Sequence, residues 1–299
     1  MSKEHITVCI CTFNRQQMLG RLLNGLKNQR TEGFFTFSVV VADNDHLESA
    51  RQVVETFALG VPFEVIYCVE PRKSIALVRN RSLEFATREF IAIIDDDEFP
   101  SEVWLLELFK ALKQFDASGV LGPVLPSYDE SASTWVRQGG FYDRPRFPTG
   151  HRLKWTGCRT GNVIFRRSII KGKSPVFKPD FGLAGSDVNF FMRMMDDGCI
   201  FVWSDQAIVH ESVPPNRCTA RFLIRRALLR GSQSFRHPKG GTRALLKALI
   251  AIPAYLVALP FLLLLLGKTS FMKYFVKLFD HGGRLLSLFG YRPVTQRDM

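Results

Sequence analysis

The chain predicts an α/β fold built on a doubly wound sheet. Three observations carry that expectation. β-Rich apolar runs, such as Ile6-Thr7-Val8-Cys9-Ile10, alternate with stretches whose apolar residues keep helical spacing. The runs are predominantly apolar, as buried parallel strands are. Four of them run straight into polar clusters, at Thr12, at Asp43, at Glu70 to Lys73 and at Asp95 to Asp97. In open α/β sheets ligands sit outside the carboxyl ends of the strands, so these clusters are expected along one edge.

The first strand is read over Ile6 to Thr12, with Cys9 and Cys11 two apart and therefore on one face. Asn14 is placed to cap a helix whose Met18, Leu22, Leu23 and Leu26 form one apolar stripe. Phe37 to Ala42 is the second strand, and Glu48 to Phe57 suits the helix after it. Phe63 to Val69 is the third strand, followed by a helix over Ser74 to Thr87. Phe90 to Ile94 is the fourth strand and enters Asp95-Asp96-Asp97-Glu98. Pro100-Ser101 opens an amphipathic helix to about Phe115, with Val103, Trp104, Leu106 and Phe109 to bury. Residues 123–162, rich in Gly, Pro, Arg and aromatics, are expected to cover the sheet edge irregularly. Gly185 to Asp197 has helical spacing, and Cys199 to Trp203 and Ala207 to Val209 read as short strands.

The composition is 46% hydrophobic, 12% aromatic and 23% charged, which excludes disordered, collagen-like and disulfide-scaffold chains. The net charge of +12 is unevenly placed: residues 1–209 carry 25 Lys/Arg and 25 Asp/Glu, residues 210–299 carry 15 and 3. A neutral globular body over residues 1–231 and a basic, apolar tail over 232–299 are the expected domains. The six cysteines contain no CxxC pair and read as buried free thiols of a reducing compartment. Met1 to Glu4 is polar and Ile6 to Ile10 is too short for a signal-peptide core, so the body is expected in the cytoplasm.

Four consecutive acids at a strand end repel one another, and Mg²⁺ or Mn²⁺ relieves that repulsion through hard oxygen ligands. A solvated acidic turn before a helix accounts for the same residues. The acids do not stand alone. Thr12-Phe13-Asn14-Arg15 ends one strand, Val39 to Asp43 leads into Asn44-Asp45, and Ala76-Leu77-Val78-Arg79-Asn80 precedes the acids. In this order the set resembles the family 2 glycosyltransferases, from about Ile6 to Gly231, and within them bacterial exopolysaccharide enzymes of the succinoglycan type.

The resemblance implies the GT-A fold, a nucleotide-sugar donor (a UDP-sugar foremost) and inverting, metal-dependent hexosyl transfer. It implies that Thr12 and Asp43 hold the base and ribose, and that Arg72, Lys73 and Arg79 reach the nucleotide. Asp95-Asp96-Asp97 matches the Asp-x-Asp motif that binds the donor diphosphate through a metal, with Asp95 and Asp96 on the donor and the metal on Asp97 and Asp95. Gly161 and Asn162 match a strand beside the acceptor. Gly182 to Val188 matches the place of a Glu-Asp pair, with Ser186 on the acceptor side where Glu usually stands and Asp187 kept as catalytic base. His210 matches a further metal ligand of some members. Each has a structural counterpart: Asp187 as a helix cap, Arg79 as a helix-surface charge, His210 as a packed imidazole.

Arg217, Arg221, Arg225, Arg226 and Arg230 lie where processive members carry Gln-x-x-Arg-Trp, which is absent here, so single addition is expected. Ala248 to Leu266 is 19 uncharged residues, just enough for a membrane span. Pro253 and Pro260 interrupt it, leaving open a re-entrant hairpin, a kinked interfacial helix or a buried pair. Phe271 to Leu288, with Lys273, Lys277 and Arg284, reads as a membrane-surface helix. An anionic membrane is the expected partner; nucleic acid is not, since no base-reading motif accompanies the charge. Tail and resemblance together imply a polyprenyl-diphosphate-linked saccharide acceptor at the cytoplasmic face of the inner (plasma) membrane. Direct transfer to polyprenyl phosphate, a nucleotidyltransferase and a non-catalytic nucleotide-binding membrane scaffold are the rival readings.

Overall fold

The computed structural model describes residues 3–181, 185–233 and 241–290. Gly182-Leu183-Ala184 of the expected Asp187 motif, and residues 234–240 and 291–299 of the expected tail, lie outside the described residues. The chain forms two compact units, Met1–Leu125 with Arg144–Glu211, and Pro126–Asp143 with Ser212–Met299. Residue 231, the expected end of the first domain, falls within a helix of the second unit.

The first unit opens with β1 (Glu4–Thr12), α1 (Gln16–Lys27), β2 (Phe35–Asp43), α2 (Arg51–Ala58), β3 (Val65–Val69), α3 (Ile75–Phe85) and β4 (Phe90–Asp95). Then come β5 (Glu98–Pro100), α4 (Trp104–Gln114) and β6 (Gly119–Leu121). The chain leaves through β7 (Val124–Tyr128) for α5 (Thr134–Gly139) of the second unit. It returns to form β8 (Val163–Arg166), α6 (Ser186–Asp196), β9 (Phe201–Trp203) and β10 (Val209–Val213).

The main sheet has the order β3-β2-β1-β4-β8-β6-β9. β1 pairs parallel with β2 on one side and β4 on the other. β8 runs antiparallel to both β4 and β6, so the sheet is mixed. Both faces are covered, in keeping with the predominantly apolar runs. Ile6, Val8 and Ile10 join Leu19, Leu22 and Leu26 of α1 and Trp104, Leu108 and Leu112 of α4 in one core. Cys9, Val40 and Ile91 join Ala76 and Val78 of α3 and Phe190 and Phe191 of α6 in the other. The period of two along each strand separates the sets. All six cysteines are free thiols.

Three local expectations change. Asn14 does not cap α1: it takes φ +52°, and Arg15 is the cap residue without a side-chain bond. The tight turn from β1 into α1 needs a left-handed residue, which Asn tolerates. The helix expected from Pro100 starts at Trp104, because Glu98 to Pro100 pairs antiparallel with Val209 to Glu211. Residues 123–162 are not wholly irregular, since they hold β7 and α5.

The second unit carries α7 (Ala220–Gln233) and α8 (Gly241–Leu288), the latter interrupted at Gly267. Val136, Tyr142, Val213, Leu223, Ala227 and Val276 form its core.

Candidate active site

Sheet register assembles the polar edge. Thr12 at the end of β1 lies beside Asp43 of β2, and Cys11 lies beside Asp95 of β4. The chain runs outward from β1 to β2 and β3, then crosses back to β4 on the other side of β1. The strand order therefore reverses at β1, which opens a crevice at its carboxyl end. Thr12 Oγ1 donates to Asp96 Oδ2 at 2.9 Å. Arg15 Nη1 donates to Asp96 Oδ1 at 2.7 Å and to Asp97 Oδ2 at 3.1 Å. Burial pushes the Asp96 carboxyl up to about 6, against the pull of Arg15.

Asp95 sits at the junction of two further groups. Arg79, 8% exposed on α3, holds Nη2 3.7 Å from Asp95 Oδ1 and Nη1 3.4 Å from Ser186 Oγ. Ser186 and Asp187 occupy the first turn of α6, whose cap residue Gly185 takes φ +101°. Asp187 Oδ1 accepts from the Val188 N–H at 2.8 Å. One guanidinium thus spans the acid-bearing end of β4 and the start of the helix that carries Asp187. Beneath Asp95, the Glu98 carboxyl is buried, and its Oε2 accepts from the Asp95 N–H at 3.2 Å. Its Oε1 has no hydrogen-bond partner. Burial, with the charge of Asp95 added, pushes this carboxyl well above the usual range, while Arg144, paired with Glu211, pulls it down. A Cβ on Gly161 would meet Glu98 Oε1 at 2.5 Å and Asp95 Oδ2 at 2.9 Å, so only glycine fits beside the two acids.

Other predicted residues lie apart from this cluster or are already engaged. Asp43 is fully buried; its carboxylate accepts from the Asp45 N–H, the Ala50 N–H and the Tyr67 hydroxyl. Arg72 pairs with Glu70, and the Lys73 ammonium lies 4.4 Å from the centre of the Phe13 ring. Asn162, at φ +76°, is buried, and its side chain joins Trp104 to the carbonyls of Pro123 and Ala207. That side chain holds the fold together rather than lining the crevice. His210 stays on β10 opposite Phe99, with its exposed ring stacked on that ring.

Residues 7–172 match the family described as Glycosyl transferase family 2. The chain is also 34% identical over 229 residues to the succinoglycan biosynthesis protein ExoM of Rhizobium meliloti, covering 76% of this chain and 73% of ExoM. The chain belongs to glycosyltransferase family 2. This glycosyltransferase is 23% identical over 246 residues to the chondroitin synthase of Pasteurella multocida, covering 71% of its own length but 25% of that longer protein. Among solved structures, the mannosyltransferase PcManGT from Pyrobaculum calidifontis, in complex with GDP-Man and Mn²⁺, matches with TM-score 0.65 at 18% identity, over 97% of this chain and 88% of that one. S. aureus TarS in complex with UDP matches with TM-score 0.55 at 15% identity, over 97% and 92%. The shared architecture is the GT-A fold.

Two residues of this glycosyltransferase were not singled out from the sequence as site residues. Arg15 is visible in the motif Thr12-Phe13-Asn14-Arg15, but its pairing with acids 81 and 82 positions away is not. Glu98 reads as one more acid of a run; only burial sets it apart. Among the described residues, no group of three or more His, Cys, Asp and Glu side chains is arranged to hold a metal ion. His210 is therefore not gathered with Asp95 and Asp97. The chemistry nonetheless suits a hard divalent cation: the carboxylates of Asp95 and Asp97 and the orphaned buried oxygen of Glu98 are all oxygen donors.

Proposed function

We propose that this glycosyltransferase moves one hexose from a nucleotide sugar, a UDP-sugar foremost, to a membrane-held saccharide carried on a polyprenyl diphosphate. The reaction inverts the anomeric centre and serves surface or exopolysaccharide synthesis at the cytoplasmic face of the plasma membrane. One observation carries the reading: Arg79 lies 3.7 Å from Asp95 and 3.4 Å from Ser186, beside Asp187. Asp95 on the donor side and Ser186, the chain neighbour of the proposed base, thereby share one guanidinium. The relationship to ExoM supports the polysaccharide pathway, and the UDP and GDP-Man complexes of TarS and PcManGT support a nucleotide-sugar donor.

In this reading Thr12 and Asp43 border the base and ribose, with Arg72 and Lys73 at the mouth of the same strand edge. Asp43 is fully buried and already accepts three internal hydrogen bonds, with acceptor capacity left on Oδ1. Asp95 and Asp97, with Asp96 beside them, are the residues that would hold Mg²⁺ or Mn²⁺, which supplies electrostatic stabilisation to the departing diphosphate. Arg79 adds a second positive group on the same side. The acceptor lies against Gly161 and Ser186. Its hydroxyl is a poor nucleophile at neutral pH, and Asp187 takes the proton as attack develops opposite the leaving group. A single displacement converts an α-linked donor into a β-linked product.

Asp187→Asn tests the assignment. It is expected to abolish transfer of radiolabelled sugar to lipid-linked acceptors and to leave donor binding, read by calorimetry, unchanged. Near-normal turnover in the purified variant overturns Asp187 as the base.

A further inference from the structure

The apolar segment of the second unit is not one rod. A continuous α-helix rises about 1.5 Å per residue, which would hold residues 255 and 274 about 28 Å apart and residues 255 and 281 about 39 Å apart. Instead the Tyr255 ring lies 5.7 Å from the Tyr274 ring and 5.8 Å from the His281 ring. The chain must reverse between them. Gly267, at φ +73° and ψ −177°, is the non-helical residue where it does so. Residues 245–266 and 268–288 are therefore the two arms of a helical hairpin.

The arms differ in what they present. On the first arm Ala248 and Leu259 are buried. Leu249, Ile250, Leu256, Val257, Phe261 and Leu264 are all more than half exposed. Their spacing is that of one helix face, so an apolar stripe with no charge runs along the outside of this arm. The most apolar stretch of the segment has a mean hydropathy of 2.6 and is only 6% buried. The second arm exposes Lys268, Lys273 and Lys277. It is fixed to α7: Gly231 lies against the Asp280 carbonyl, Gly283 against the Leu228 carbonyl, and Asp280 accepts from both Arg230 and Arg284.

These facts exclude a single crossing, because the segment doubles back. A hairpin that crossed twice would carry Lys273 and Lys277 about 9 and 15 Å from its tip, towards the middle of a hydrocarbon core about 30 Å thick. Charged side chains are among the most costly groups at that depth. We propose that residues 245–288 lie flat in one leaflet of an anionic membrane. The stripe of the first arm enters the acyl boundary, the lysines of the second stay among the headgroups, and both ends of the hairpin are on the same side. The 15 Lys/Arg against 3 Asp/Glu of residues 210–299 complement an anionic lipid surface rather than a second copy of the same basic face. The proposal rests on the membrane reading given above and adds its topology.

The test uses the full chain with an environment-sensitive fluorophore on Val257→Cys, Leu264→Cys or Lys273→Cys, the unsubstituted protein being treated in parallel. Each is bound to vesicles of phosphatidylcholine and phosphatidylglycerol. The labels at 257 and 264 are expected at equal depth near the acyl boundary, that at 273 is expected in the headgroups, and all three should be bleached by dithionite added outside. A label at 264 that is protected from dithionite and deeper than that at 257 shows a crossing; it overturns the flat topology and leaves the membrane reading intact. No uptake by vesicles, or a dimer in solution that shields the label at 257, overturns both. Val257→Glu provides a second readout. It is expected to weaken vesicle binding tenfold or more with an unchanged circular dichroism spectrum, and unchanged binding overturns the role of the stripe.

Discussion

Arg15 is a positive group built into the acid cluster, with one guanidinium nitrogen on both Asp96 and Asp97. Removing this built-in cation should favour an added one: Arg15→Gln is expected to bind Mn²⁺ several-fold more tightly than wild type by calorimetry without donor. Asp96 contributes a pH dependence whose sign follows from its surroundings. Its carboxyl is raised from 3.8 to about 6, so between those values the folded chain holds a proton that the unfolded chain has released. The folded state therefore loses stability as pH rises through that window. With divalent ions chelated, wild type is expected to lose thermal stability relative to Asp96→Asn between pH 4 and 6, and to run parallel to it above. The type and order of these residues were legible in the strand-end motifs. Their pairing was not, because a hydrogen bond between positions 15 and 96 depends on two strands being neighbours.

At the level of elements, close backbone approach explains two glycines, and side-chain hydrogen bonding explains one asparagine. α7 and the second arm of α8 meet through Gly231 and Gly283, each of which lies against a carbonyl of the opposite helix. A methyl group at either site must push backbone aside, and overpacking of this kind costs about 1–3 kcal/mol. Gly231→Ala is expected to lower the unfolding midpoint and to speed proteolytic cleavage within residues 268–288. The Asn162 side chain performs a comparable task in the first unit, where its oxygen accepts from Trp104 Nε1 at 2.8 Å. Helix α4 is thereby tied to the start of β8, beside Gly161. Spacing alone revealed the helices over residues 16–27, 75–85 and 186–196 to within a few positions. The short strands β5 and β6 escaped, since three residues carry too little periodicity to separate a strand from a turn.

The whole chain divides its chemistry by charge. Its neutral part contains the sheet and its acid-lined edge, and its basic part contains the hairpin. Under the proposed membrane docking, two forces with different salt responses act on binding. Screening lengths shrink from about 10 Å at 0.1 M salt to about 3 Å at 1 M, so attraction by the basic residues fades while apolar burial persists. Co-sedimentation with anionic vesicles is expected to weaken at least tenfold between those salt concentrations without vanishing. Binding to uncharged vesicles is expected to be weaker and nearly independent of salt.

Local pattern was enough to establish an α/β sheet, polar strand ends at Thr12, Asp43 and Asp95, and a basic apolar tail. These features repeat over a few residues, and side-chain alternation and helical spacing expose them directly. Three-dimensional packing had to supply the rest. Strand order set Arg15 on Asp96, and the approach of α6 to α3 set Arg79 between Asp95 and Ser186. The turn of α2 and β3 onto β2 occupied Oδ2 of Asp43. One residue, Gly267, non-helical in both φ and ψ, folded residues 245–288 on themselves. The contacts of Arg15, Arg79 and Tyr67 join residues 24 to 107 positions apart, where no short-range regularity links one partner to the other.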